Sequence, residues 1–270
     1  MGSCASCGAG GCGTAEVRVP GLQRLGLRPG TWDGIVALAG NPNTGKSTVF
    51  NRLTGLRQHT GNWPGKTIAR AEGGFAYRGR RYRLIDLPGT YSLLSASPDE
   101  EVARDFILFG RPDVVVVVTD ATALERNLNL ALQVLQITER VVVCLNLTDE
   151  ARALGVEVDV AGLSEDLGVP VVPCVAREGE GMIALLDAVH GVSVGEIECR
   201  PRRLKLSVPG LTGALDRLTS LVTGAFGDLP QARWVALRLL HGDRRITEAV
   251  RTGEIARLGA AVPAESGARS

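Results

Sequence analysis

Ile35-Val36-Ala37-Leu38-Ala39-Gly40-Asn41-Pro42-Asn43-Thr44-Gly45-Lys46-Ser47-Thr48 runs from an unbroken apolar segment straight into the pattern G-x-x-x-x-G-K-[ST]. That order reads as strand, phosphate-binding loop and helix. The glycines let the backbone approach a polyphosphate, and successive N–H groups face inward as a nest. A helix beginning near Lys46 would aim its positive dipole end at the anion. Lys46 is placed to reach the β- and γ-phosphates, and Ser47 offers a hydroxyl to Mg²⁺, which prefers oxygen ligands. Asn41, Pro42, Asn43, Thr44, Gly45 and Thr48 complete the expected cradle.

Two further motifs fall after apolar strand-like runs. Asp86-Leu87-Pro88-Gly89 follows Leu84-Ile85, where an Asp can hold Mg²⁺ through a water and the Gly89 N–H can meet the γ-phosphate. Alone, this tetrapeptide also makes a good turn. Asn146-Leu147-Thr148-Asp149 follows Val141-Val142-Val143-Cys144-Leu145. There, an Asp149 carboxylate would accept hydrogen bonds from N1–H and the 2-amino group of guanine, which adenine cannot offer. Asn146 would bind the base edge and tie this loop to the phosphate loop. The competing reading makes Asp149 a helix cap. Between these motifs Thr67 sits in a polar, glycine-rich stretch with Gly61, Asn62, Trp63 and Gly65. Such a segment is poorly equipped to fold by itself, so a Thr67 hydroxyl engaging Mg²⁺ and the γ-phosphate would order it. An exposed Thr at the start of a strand is the plainer alternative.

The 270 residues, 44% of them hydrophobic, suffice for one large or two modest domains. A net charge of +1 gives no nucleic-acid footprint. The most apolar run, residues 114–118, is far too short to span a bilayer, and no secretory leader is visible. Cys144 and Cys174 lie in apolar runs and read as small buried hydrophobes. Cys4, Cys7 and Cys12 form C-x-x-C-x-x-x-x-C in a Gly-rich tail, a three-thiolate metal set lacking a nearby fourth ligand, or else a flexible reactive tail.

Apolar runs alternating with helical patterns over residues 35–189 predict an α/β fold, a parallel sheet covered on both faces. Strands are expected near 35–39, 73–78, 82–86, 114–119, 141–146 and 171–175. Helices are expected near 46–55, 99–109, 124–138, 160–167 and 180–190. Residues 73–86 read as a hairpin around Arg78-Gly79-Arg80, with Arg78, Arg80, Arg81 and Arg83 marking a solvated edge. Beyond residue 200 the pattern turns helical, near 211–225, 231–240 and 246–258. The expected division is a flexible extension over 1–30, a nucleotide domain over 31–195, a small helical domain over 196–260 and a tail over 261–270.

Taken together, these elements resemble a P-loop GTPase related to translation factors. Gly61-Asn62-Trp63-Pro64-Gly65-Lys66-Thr67, Asp86-Leu87-Pro88-Gly89-Thr90-Tyr91-Ser92-Leu93, Leu124-Glu125-Arg126-Asn127-Leu128 and Asn146–Asp149 are similar to bacterial ferrous iron transport protein B over residues 34–192. A looser similarity continues through Trp234-Val235-Ala236-Leu237-Arg238-Leu239-Leu240-His241-Gly242-Asp243 into that family's helical spacer or dissociation-inhibitor module. The resemblance implies a mostly parallel sheet of six to seven strands, GTP, GDP and Mg²⁺ as ligands, and slow hydrolysis regulating Fe²⁺ uptake. It also implies a membrane permease domain and small cytosolic accessory proteins as partners, at the cytoplasmic face of the bacterial inner membrane. This chain itself is expected to be soluble and cytoplasmic, a fragment or a stand-alone protein, with homo-oligomerisation left open.

Departures from the common GTPase pattern bear on rate and affinity. Thr90 stands where many GTPases place a water-orienting glutamine, so basal hydrolysis is expected to be slow. The resemblance implies a K⁺ held by Asn43 and backbone groups around Gly61 and Trp63, offsetting developing charge. Leu147 replaces the lysine of Asn-Lys-x-Asp, removing one cationic cover over the base. Val175, Ala176 and Arg177 are the expected base-contacting loop, in which a backbone N–H binds guanine O6; Ala176 stands where Ser is common, so a bracing hydroxyl is missing. Lys46, Thr67 and Gly89 are the expected catalytic groups. Two other readings stay open: a GTPase switch in ribosome assembly or tRNA modification, and an ATPase with a coincidental Asn146–Asp149 motif. His59, His190 and His241 show no metal-ligand spacing.

Overall fold

The computed structural model describes residues 32–56, 58–94, 97–202, 210–227, 229 and 231–256. Cys4, Cys7 and Cys12, the extension over 1–30 and the tail over 261–270 lie outside the described residues. Strand β1 (Gly34–Gly40) is buried along its whole length because it runs between two parallel neighbours, β4 (Arg80–Asp86) and β5 (Val114–Asp120). Both faces of such a strand are covered, which is why its sequence is apolar without alternation. Beyond β5 lie β6 (Val141–Asn146) and β7 (Val171–Pro173), also parallel. Beyond β4 lie β3 (Ala69–Tyr77) and β2 (Gln58–Asn62), each antiparallel to its neighbour. The order β2-β3-β4-β1-β5-β6-β7 gives the expected seven-stranded, mostly parallel sheet.

Alternate residues of the central strands face opposite layers. Val36, Leu38, Val114, Val116 and Val118 meet Val49 and Phe50 of α1 (Lys46–Thr54) and Leu185 and Val189 of a late helix spanning Met182–Val194. Ile35, Ala37, Val115 and Val117 meet α2 (Pro98–Asp105), its π-helical continuation Phe106–Gly110 and α3 (Leu124–Ile137). Each fully buried aliphatic side chain of this kind contributes about 1.5–3 kcal/mol. The short α4 (Thr148–Ala153) and α5 (Val160–Leu167) join β6 to β7, so the late helix is α6. Because β1 has β4 on one side and β5 on the other, the chain reverses its progress across the sheet at β1. A crevice therefore opens beyond the carboxyl ends of the strands there.

After residue 202 come α7 (Leu211–Phe226), α8 (Ala232–Leu240) and α9 (Arg244–Arg251). Their Val222, Trp234, Val235, Ile246 and Ala249 belong to the same apolar cluster as Val102 and Phe106. The seam also contains charge. Fully buried Arg104 donates through Nη1 to Asp243 Oδ2 at 2.9 Å, and Arg238 reaches the same oxygen through Nε at 3.0 Å and Nη2 at 2.8 Å. Asp243 Oδ1 caps α9 by accepting from the backbone N–H groups of Arg245 and Ile246.

Three expectations need correction. Strand β2 was not foreseen, because residues 58–62 lack apolar alternation; as an edge strand paired only with β3, it has little burial to enforce a pattern. Residues 61–67 are accordingly better ordered than a polar loop. Trp63 is buried edge-on to Phe106 at 5.5 Å, and its backbone N–H donates to the Ile68 carbonyl at 2.9 Å. The arginine run does not mark an edge either, since β4 is interior. Arg83 pairs with Glu72 across β3 and β4, and Arg78 pairs with Asp187 of α6. The hairpin turn itself is as expected, with positive φ at Arg78 (46°) and Gly79 (77°), as a tight two-residue loop requires.

Candidate nucleotide site

The loop 40–47 turns from β1 into α1 at the crevice. Gly45 has φ 78°, and a Cβ there would lie 2.3 Å from Asn146 Nδ2, so both conformation and close approach require glycine. Thr44 is buried, with Oγ1 donating to the Asn41 carbonyl at 3.0 Å. Asn41 is almost wholly buried, yet neither atom of its side-chain amide has a partner. Asn43 is exposed at φ 65°, Pro42 is half-buried, and Ser47 and Thr48 are exposed at the first turn of α1.

Lys46 Nζ forms an ion pair with Asp86 Oδ1, bringing the lysine of the phosphate loop and the acid at the end of β4 together. Burial pushes the Asp86 carboxyl above the usual aspartate range, and the neighbouring ammonium offsets only part of that. Gly89 is exposed and packs beside Pro42. Thr90 donates its backbone N–H to the Gly40 carbonyl at 3.3 Å, while its hydroxyl turns back to the Ser92 carbonyl at 2.6 Å. Its side chain is thus occupied in its own turn.

The base-side loops converge on Asn146. Its Nδ2 donates to the Thr44 carbonyl at 2.9 Å, and its Oδ1 accepts from the Ala176 N–H at 3.0 Å. One side chain therefore ties the phosphate loop to the loops after β6 and β7. The Ala176 amide is committed to this bond, so a backbone amide of this loop that meets guanine O6 would have to be a neighbouring one such as that of Arg177. Leu147 takes φ 61° and precedes α4 without capping it through a side chain. Asp149 is not the cap. Its Oδ2 accepts from Arg177 Nη2 at 3.0 Å, whereas its Oδ1 is buried with no partner. Val175 is buried, and its carbonyl closes the loop by accepting from the amides of Glu178 and Gly179. Sequence reasoning missed Arg52 in the last turn of α1, which donates to the Ala176 carbonyl at 3.0 Å and also to that of Arg177. No motif flags a lone arginine at a helix end.

Thr67, Gly61, Gly65 and Trp63 belong to a different part of the crevice rim. Thr67 and Gly65 are exposed between β2 and β3, Gly61 lies opposite Arg70 in that ladder, and the Trp63 carbonyl accepts from the Lys66 amide at 3.0 Å. Edge strand β2 is three strand spacings from β1, about 14 Å. The structure thus gathers the phosphate loop, Asp86, Asn146, Asp149 and the loop 175–177, while Thr67 joins the edge strand β2 to β3, whose Ala71 lies opposite Asp86.

The unpartnered Asp149 Oδ1 is an acceptor suited to the donor edge of guanine, and Ser47 with Asp86 supplies the hard oxygens that Mg²⁺ prefers. The residues present fit both groups. No group of three or more metal-ligating side chains occurs among the described residues, and no helix among them is long and apolar enough to cross a membrane.

Residues 34–189 match the family model for ferrous iron transport protein B. An Fe(2+) transporter FeoB from Shigella flexneri is 40% identical over 214 residues, which cover 77% of this chain and 27% of that protein. The chain thus spans about a quarter of the length of the curated relatives it matches. Among solved structures, the cytosolic domain of Legionella pneumophila FeoB is 33% identical with a TM-score of 0.72, covering 84% of this chain and 90% of that one. A mutant of the corresponding Streptococcus thermophilus domain bound to GDP is 31% identical with a TM-score of 0.71, covering 84% and 87%.

Proposed function

Because the chain belongs to the ferrous iron transport protein B family, we propose that it is the guanine-nucleotide switch of a ferrous iron transporter, one that binds GTP, hydrolyses it slowly and regulates Fe²⁺ uptake. The GTPase-type domain and its affinity for guanine nucleotides follow from the family and from relatives solved with GDP. The observation that carries the finer reading is the buried, unpartnered Asp149 Oδ1. A buried acceptor left unpaired costs about 1–3 kcal/mol or more, and the guanine edge supplies the missing donors.

Lys46, now paired with Asp86, would turn to the β- and γ-phosphates, and Asp86 with Ser47 would hold Mg²⁺, which when bound would supply positive charge against the phosphates. Amides of residues 41–48 and of Gly89 complete the cradle. Thr90, whose hydroxyl is turned to Ser92, does not orient water, and this underlies the slow basal rate. Thr67 approaches the phosphate when its segment re-forms. The same movement would free Gly61 and Trp63 to complete a K⁺ site with Asn43. The partner is a permease domain of the same transporter, with the nucleotide domain on the cytoplasmic side. Nothing in the seam or the site favours ribosome assembly or tRNA modification.

Calorimetric titration of the whole chain with Mg²⁺-loaded GTP and ATP tests this. GTP binds at least 100-fold tighter, and Asp149→Ala removes the preference; equal affinities would overturn the reading. GTP turnover faster in K⁺ than in Na⁺, and levelled by Asn43→Ala, would support the cation's part; equal rates would remove it.

A further inference from the structure

Arg52 lies near the C-terminal end of α1, six residues from Lys46 and so about 9 Å along the helix axis. It touches no phosphate-loop group. Its guanidinium instead forks onto two consecutive carbonyls far along the chain, with Nε donating to Ala176 O at 3.0 Å and Nη2 donating to Arg177 O. These two carbonyls face α1. On the inner side of the same loop the Ala176 amide donates to Asn146 Oδ1, and the Arg177 side chain holds Asp149 Oδ2. The loop is thus gripped from outside by Arg52 and from inside by Asn146. Ala176 has no hydroxyl with which to brace the loop, and the internal bonds to the Val175 carbonyl do not reach the Ala176 and Arg177 carbonyls that Arg52 holds.

We infer that Arg52 is a positioning residue for guanine recognition: it mechanically joins the helix that begins at the phosphate contacts to the loop that presents an amide to the base. The inference rests on the guanine-nucleotide reading above. Arg52 does not touch the nucleotide. It fixes the direction of the 176–177 peptide groups, and hence of the Arg177 amide and the Asp149 carboxylate held by the Arg177 side chain. Release of the base then requires the fork to open, so Arg52 sets the lifetime of the complex rather than the rate of chemistry. A plainer role is available, since a cation in the last turn of a helix complements its dipole. Lysine would serve that role equally, but a single ammonium cannot form the planar two-donor fork.

The test measures dissociation of fluorescent GDP and GTP from the full chain by stopped flow, for the wild type, Arg52→Ala and Arg52→Lys, with Asp149→Ala as reference. Melting temperatures are taken without nucleotide, and turnover is taken at saturating GTP. Arg52→Ala is expected to speed dissociation about tenfold or more, with saturated turnover within about twofold and the nucleotide-free melting temperature lowered by only about 2–4 °C, because Arg52 is exposed. Arg52→Lys keeps most of that defect. Full rescue by lysine, or a dissociation rate unchanged in Arg52→Ala, overturns the inference. If Asp149→Ala still abolishes the guanine preference in that case, the proposed function survives; if it does not, the guanine reading itself fails.

Discussion

The crevice at the carboxyl end of β1 and the seam beneath the helical module are both polar and buried, but they treat polar groups oppositely. At the seam, Asp243 uses both oxygens: one accepts three donors from Arg104 and Arg238, the other two backbone amides. At the crevice, both side-chain atoms of Asn41 and one oxygen of Asp149 are buried without partners. A saturated cluster has nothing left to bind and serves to hold elements in register. An unsaturated one bears a desolvation penalty that a ligand or an ordered water can relieve. Between these two places it is unused hydrogen-bonding capacity, rather than burial, that sets the candidate site apart.

That contrast can be broken most easily at the seam. Arg104→Ala takes from Asp243 one of its two guanidinium partners, and breaking a buried pair of this kind costs about 3–5 kcal/mol. Urea unfolding should show this loss of stability while GDP affinity of the folded protein stays within about twofold. A large affinity change would mean that the seam is part of the nucleotide machinery. At the crevice, Lys46→Ala is expected to lower kcat/KM for GTP by about 10²–10³-fold, measured by phosphate release. Asp149→Ala should reduce GTP affinity by about 100-fold while leaving the nucleotide-free melting temperature unchanged or higher. A fall in that temperature would show that Asp149 is a structural group after all.

The smallest effect is in pH. Burial raises the Asp243 carboxyl, but the Arg238 and Ile246 hydrogen bonds and the Arg104 charge outweigh it, so in the fold it titrates below the usual aspartate range. A depressed carboxylate stabilises the fold above its unfolded pKa, and that contribution is lost as pH falls through the lower folded value. Stability measured in urea should therefore drop below about pH 4, and the drop should shrink in Asp243→Asn.

The two regions also differ in how legible they were. The phosphate loop, Asp86 and Asn146-Leu147-Thr148-Asp149 could be read because phosphate and guanine each demand fixed residue types at fixed distances from a strand end. The central strands were equally plain, since inner parallel strands have no solvent face to interrupt them. Strand β2 was hidden because an edge strand with exposed residues carries no periodic signal. The Arg104, Arg238 and Asp243 cluster and the Arg52 fork were hidden for another reason: their partners are distant in sequence, and arginines on helices usually face water. Which backbone amide of the 175–177 loop is left for the base was not legible, because the acceptor that claims Ala176, Asn146 Oδ1, is visible only in three dimensions.

Trp63 gives the Thr67 segment a property that a polar loop would lack. Its indole is 2% exposed against Phe106, while Thr67 four residues on stands in solvent. Drawing residues 63–68 toward the phosphates must either pivot about that ring or extract it from an apolar wall, which would cost roughly 3 kcal/mol. Such a threshold makes the motion a click between two stations rather than a drift, and the emission colour of the tryptophan would announce which station is occupied.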